Sequence, residues 1–489
     1  MLNVLFRRLF GAGLAARRFV VALAFFPTLA GADSPVETPR PVPATRPQMK
    51  ELLEQMKQRP FRIPYPELTE EGKQELGERA SNYEARLRYH YLPTSEGSVF
   101  GGGRPRAGAA GATGAAGAPR PDFTRNADEN MTLSYQFKTK LFWIVSRTNN
   151  CQYCLGHQEW KLAETGMSDD EIAALDVAWS AYNKQEQAAF AYARLLTYEP
   201  NRLSDQVIQE LAEYYSPMQI LEMTMSVSGN NAINRWKEGT GVPQSEGNTF
   251  ARRNATQPMP GAAHSDKFTT PTSERFRNAI SVVAPLADKS GSARPLGLNT
   301  RPDLESREQV RAALERAASR SPRLPLIDEP AAAEWLKQAG QHAEAANWVR
   351  LIAHFPNEAR NRLPSLLARE RQTGDLTALQ KTQLNWILAR QDRAWYAAGR
   401  AMRALQALGQ SQDQIDALDG DWSSFSERDR ALFAFASHLG ASPIALTDED
   451  AARALDAAGP RLVVQAINHV TSCAYFNRVT EAAGLPLEP

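Results

Sequence analysis

The sequence predicts an all-α protein made of two tandem helical domains. Two observations carry this. Apolar residues recur at helical spacing over long stretches while alternating β-branched runs are scarce, and one half of the chain repeats the other. Laying Lys138 to Arg147 (KTKLFWIVSR) over Lys381 to Arg390 (KTQLNWILAR) matches six residues in ten. The offset of 243, from Lys138 to Lys381, then holds without a gap. Gly156 meets Gly399, Gly166 meets Gly409, Trp179 meets Trp422 and Phe190 meets Phe433. Pro217 meets Pro460, Asn234-Arg235 meets Asn477-Arg478, and Gly241 meets Gly484. An ungapped match that keeps Trp, Gly and Pro landmarks reads as a tandem duplication. Upstream, Arg62-Ile63-Pro64 resembles Arg323-Leu324-Pro325 at an offset of 261, from Arg62 to Arg323. The excess of 18 is about the length of the Gly101 to Pro121 run, which reads as an insertion in the first copy.

Along the chain, residues 1–32 read as an export signal. Arg7, Arg8, Arg17 and Arg18 precede the apolar Phe19 to Phe26, and Ala30-Gly31-Ala32 gives an A-x-A cleavage site. This implies a periplasmic or otherwise extracytoplasmic location. Residues 33–60 read as a flexible tether, because Pro and Thr dominate the start. The first domain spans 61–243, with a helical pattern from Pro66 to about Tyr91 and another from Met131 to Trp236. Between them, Gly101 to Pro121 is nearly all Gly, Ala, Arg and Pro, a composition that cannot bury a core. Residues 244–302 read as a linker and 303–489 as the second domain, helical from about Asp303 to Ala483.

Composition narrows the function classes. The 56 basic and 55 acidic residues nearly cancel, so no global field favours a nucleic acid or an anionic membrane. Three cysteines in 489 residues make no disulfide scaffold. Two of them, however, stand three residues apart in Cys151-Gln-Tyr-Cys154-Leu-Gly-His157. The second copy has Ala394-Trp-Tyr-Ala397-Ala-Gly-Arg400 at the same places. Tyr and Gly persist where both thiols and the imidazole are lost, so the cysteines are not required by the fold.

The spacing suits thiol chemistry. Asn149-Asn150 resembles a helix N-cap region, which places Cys151 in the first helical turn. There the helix dipole would lower its pKa. Cys154 lies one turn on, where it could resolve a sulfenic acid or mixed disulfide, and His157 could move a proton. Leu155 directly after the second Cys excludes haem attachment. A zinc site lacks a second pair of ligands, and a structural disulfide would close too small a loop to stabilise much. Catalytic residues are thus expected to be Cys151, Cys154 and His157, with no metal and no cofactor. Trp143, Trp179, Trp386 and Trp422 recur between copies and read as core. Cys473 aligns with Asn230, follows His469 by one turn, and reads as a buried structural thiol.

The run Ser146-Arg147-Thr148-Asn149-Asn150-Cys151-Gln152-Tyr153-Cys154 resembles the alkylhydroperoxidase D signature of the carboxymuconolactone decarboxylase family. Glu186 to Ala193 (EQAAFAYA), Leu203-Ser204-Asp205 and Asn234-Arg235 fit the same pattern. The resemblance covers about 110 residues of the first copy and, in degenerate form, 381–486 of the second. It implies all-helical, oligomeric domains, here an oligomer or an intrachain pseudo-dimer. It also implies reduction of a peroxide or disulfide substrate with a dithiol reductant of thioredoxin-like or lipoyl type. On this resemblance Cys154 is the peroxidatic thiol and Cys151 its resolving partner, whereas helix position favours Cys151 as the more acidic. Two places depart from the family. Thr139 stands where a Glu is usual, and the His falls at 157 rather than 158. Two other readings remain, a lactone decarboxylase of the wider family, which generally lacks the Cys pair, and a non-enzymatic binding module.

Overall fold

The computed structural model describes residues 46–93, 126–177, 179–248 and 304–488, and among them there is no β-strand. The protein is all-α, as the periodicity predicts. The expected export signal, the Gly/Ala-rich run and residues 249–302 of the expected linker lie outside the described residues. None of the described helices is long and apolar enough to cross a membrane.

The first helix corrects the expected tether. Within 33–60, helix α1 (Arg46–Gln55) is followed by a 3-10 turn at Met56–Gln58. Met49, Leu53 and Met56 recur at helical spacing and are buried. Lys50 fastens α1 by donating to Glu159 at 3.0 Å and Asp169 at 3.1 Å. The Pro and Thr content of the preceding residues concealed this short amphipathic pattern. The linker reading also fails at its start, since Gln244 is buried and bonds Met56 and Tyr153 backbone.

Two short helices follow, α2 (Glu70–Leu76) and α3 (Tyr83–Tyr91), each started by a side-chain cap from Thr69 or Asn82. The next run comprises α4 (Tyr135–Thr148), α5 (Gln152–Glu164), α6 (Asp169–Val177), α7 (Lys184–Tyr198), α8 (Asp205–Ala212) and α9 (Pro217–Thr240). Four more helices, α10 (Arg307–Ser319), α11 (Glu329–Gln338), α12 (Asn347–Ile352) and α13 (Pro356–Leu367), lead into a second run. This contains α14 (Ala378–Asp392), α15 (Trp395–Ala407), α16 (Gln412–Asp416), α17 (Glu427–Gly440) and α18 (Asp448–Ala482). α18 is interrupted at Gly459, whose φ of 74° precedes Pro460. Proline there lacks an N–H and restarts the helix, as Pro217 starts α9. The caps Ser134, Asn183 and Ser204 of α4, α7 and α8 have counterparts in Thr377, Ser426 and Thr447 of α14, α17 and α18.

α9 and α18 pack most extensively of all the helices, with α4 against α5, α7 and α9, and α14 against α15, α17 and α18. Close approach is possible because Gly239 of α9 faces Ile467 and Leu439 without a side chain of its own. Trp143, Trp179, Trp386 and Trp422 are buried in the core. The contacts between the runs are reciprocal. Arg235 donates to the Gly440 carbonyl at 3.0 Å, and Arg478 to the Thr197 carbonyl at 2.9 Å. Likewise Arg62 pairs with Asp448 at 2.5 Å and Arg323 with Asp205 at 2.6 Å.

Gly241 ends α9 in the left-handed conformation, φ 70°, and a Cβ there would lie 2.8 Å from the Arg62 backbone nitrogen. Alanine would meet both the backbone conformational cost and a clash that no rotamer relieves. Gly241→Ala is therefore expected to destabilise the fold by about 2–3 kcal/mol, read from the midpoint of denaturant unfolding.

Candidate functional site

The site forms where α4 turns into α5. Asn150 takes a left-handed conformation, φ 56°, which Asn tolerates better than most residues, and the Cys151 N–H then donates to the Ser146 carbonyl at 2.9 Å. Cys151 is the N-cap of α5, one position earlier than the expected first turn, and Cys154 lies within that turn. The cap is unusual in using sulfur: Cys151 Sγ accepts the Cys154 backbone N–H at 3.4 Å. Cys151 is 0% exposed and Cys154 1%.

Burial reverses the expected acidity of Cys151. Desolvation, then the adjacent Cys154 thiol and Glu238, push its pKa well above the ordinary thiol value despite its place at the helix start. Around Cys154 the charges are different, because Lys161 of α5 and Lys237 of α9 both interact with its sulfur electrostatically.

Lys237 belongs to a compact cluster. Its ammonium pairs with Glu84 of α3 and sits 4.3 Å from the centre of the Tyr153 ring. Glu84 also accepts from Trp236 Nε1 at 2.6 Å. Desolvation raises the Glu84 pKa, but Lys237 and Arg88 outweigh it and hold the carboxyl below the usual range. Burial likewise opposes the Lys237 charge, while Glu84, then Tyr153, keep its pKa raised.

The structure brings His157 to this cluster. Its ring lies 6.2 Å from that of Tyr153 and 6.0 Å from that of Trp160. Burial, then Lys161 and Lys237, push its pKa down to about 3. At neutral pH the imidazole is therefore uncharged. His157 should therefore contribute no inflection to a rate profile measured between pH 5 and 8, and His157→Gln should leave the shape of that profile unchanged. Because its folded pKa lies below the unfolded value of about 6.5, it withdraws stability as pH falls from there toward 3.

Thr139 offers no acid. Its hydroxyl donates to the Tyr135 carbonyl at 2.8 Å, and Thr382 repeats the arrangement with Ala378 at 2.7 Å. The carboxylates around this cluster come instead from residues far away in sequence, Glu84 acting on Tyr153, His157 and Lys237, and Glu238 acting on Cys151. Spacing could not reveal Glu84. The repeat could have revealed Lys237, since the corresponding position is Thr480.

In the second run the matching place is filled. Arg400 pairs with Glu370 at 3.0 Å, Tyr396 donates to Glu488 at 2.6 Å, and Leu487 packs over Gly399. Cys473 and His469 are buried and separately bonded, the thiol to Asn385 Oδ1 at 3.1 Å and the imidazole Nε2 to the Lys381 carbonyl at 3.0 Å. Among the described residues no group of three His, Cys, Asp or Glu side chains could hold a metal ion. Compared with protein-family models and with curated proteins, the chain matches none.

Proposed function

We propose that the chain is an exported, thiol-dependent oxidoreductase of the alkylhydroperoxidase D-like kind, active in its first domain and degenerate in its second. The observation that carries this reading is the Cys151–Cys154 turn, with sulfur accepting the Cys154 N–H and two lysines acting on Cys154. In the proposed cycle the Cys154 thiolate attacks a peroxide oxygen. The O–O bond breaks, the alcohol leaves after taking a proton, and Cys154 becomes a sulfenic acid. Cys151 then attacks that sulfur, forming the disulfide and releasing water, and a dithiol reductant of thioredoxin-like or lipoyl type restores both thiols. Near-complete burial of the sulfurs favours a small peroxide over a bulky protein disulfide as oxidant.

The tandem arrangement belongs to the same proposal. Helix starts at Tyr135, Gln152, Lys184 and Asp205 recur at Ala378, Trp395, Glu427 and Asp448, and the reciprocal arginine contacts suit an intrachain pseudo-dimer.

The test is mass spectrometry of the purified chain after stoichiometric peroxide. The expected product has lost two hydrogens and joins Cys151 to Cys154, with Cys473 still reduced. Thiols that remain unchanged, together with lactone decarboxylation unaffected by thiol blocking, would refute the reading.

A further inference from the structure

A cavity of about 270 Å³ lies where α4, α9 and α13 meet, and neither Cys151 nor Cys154 lines it. Asp128 fastens α13 here, accepting the backbone N–H groups of Asn357 and Glu358 at 2.9 Å each. Two ion pairs line the cavity, Lys138 of α4 with Glu222 of α9 at 3.0 Å, and Arg362 with Glu358 within α13. These lining charges balance, so a ligand with a net charge would leave one of them unmatched.

Three polar atoms in the walls keep bonding capacity among the described residues. Asn230 of α9 is 7% exposed, and its amide nitrogen has no partner there. Lys138 Nζ carries three N–H bonds and meets two acceptors, Asn126 Oδ1 at 2.5 Å and Glu222 Oε1 at 3.0 Å. Arg362 bonds Glu358 through Oε1, which leaves Oε2. Two donors and one carboxylate oxygen are the complement of a carboxylate and an ammonium group.

The second run fills the corresponding place with its own side chains. At the offset of 243, Cys473 replaces Asn230 and bonds Asn385 Oδ1 at 3.1 Å. Lys381 replaces Lys138, is buried, and bonds the Ala368 carbonyl and Thr373. Phe476, with the Arg369 guanidinium 3.7 Å from its ring centre, replaces the smaller Ile233.

We propose that this cleft binds a free α-amino acid with an apolar side chain. The ligand carboxylate takes the N–H groups of Asn230 and Lys138, and the ammonium faces Glu358 Oε2. The side chain lies against Met131, Met225 and Ile233, the apolar part of the lining. The volume falls just below the range of about 300–1,000 Å³ that holds drug-sized ligands, as a smaller molecule requires. The site shares no residue with the thiol cluster, so it stands or falls apart from the redox reading.

The test is thermal unfolding of the full chain with L-leucine, L-valine or L-methionine, and with two leucine analogues. Isocaproate lacks the ammonium and leucinamide lacks the carboxylate. At least one of the amino acids is expected to raise the unfolding midpoint saturably, and the analogues to need about tenfold higher concentration or more. Asn230→Ala should weaken that binding by about tenfold. Ile233→Phe, which copies Phe476, should abolish the shift, and it decides the matter if Asn230→Ala fails to fold. The site is overturned if none of the three amino acids gives a saturable shift, or if either analogue equals them. A shift unchanged by Ile233→Phe, or by Asn230→Ala in folded protein, overturns it as well.

Discussion

Cys154→Ser is expected to lower peroxide reduction by about a thousandfold or more, to the background of the uncatalysed reaction. A hydroxyl at this position ionises far less readily than a thiol and is a poorer nucleophile, and Lys161 and Lys237 cannot close that gap. Stability should change little, since the helix-start bond at this position uses the backbone N–H of residue 154 rather than its side chain. Cys151→Ser is expected to differ: the first turnover should survive, and a sulfenic acid should persist on Cys154 because no partner resolves it. Cys473→Ser should leave turnover intact, as its thiol is buried against Asn385. The measurement is peroxide consumption with a dithiol donor, together with trapping of the sulfenic acid. Full activity in the Cys151/Cys154 double serine variant would end the redox proposal.

Lys237→Met is expected to cost about 3 kcal/mol of stability and to slow the reaction with peroxide by about tenfold. The stability loss arises because Glu84, half-buried, is left with a weaker set of partners, Trp236 Nε1 and the more distant Arg88 at 3.9 Å. The rate loss arises because one of the two cations acting on Cys154 disappears. The two effects separate in a double variant. Glu84→Gln with Lys237→Met removes both charges and should recover most of the stability, while the rate remains low. The pair also predicts a pH dependence. Glu84 has a folded pKa below its ordinary value, so its contribution is present above about pH 4.5 and is lost as the pH falls lower. Unfolding midpoints across that range, with and without Glu84→Gln, measure it.

Much of the fold was legible in the sequence because helical periodicity, caps and breakers are local. Ser134, Asn183 and Ser204 start their helices with the chemistry that sequence reasoning expects of caps, and Pro217 and Pro460 stand at helix starts. The recurring tryptophans proved to be core. α1 escaped notice because ten residues of helix carry a weak signal of their own and are held by docking, with Lys50 on Glu159 and Asp169.

The candidate site divides along the same line. The sequence by itself determined that Cys151 and Cys154 lie one helical turn apart, that His157 follows on the same helix, and that the second run lacks all three, because these relations depend only on neighbours along the chain. The acidity of those groups depends on what surrounds them, and that came from tertiary structure alone. Burial raises Cys151 against the helix dipole and, with two lysines, keeps His157 neutral. Glu84 and Lys237 come from α3 and α9, helices that meet α5 only when the chain packs. Charge–charge energies fall off with distance in space, not with separation in sequence, so only the folded chain decides which charges a thiol meets.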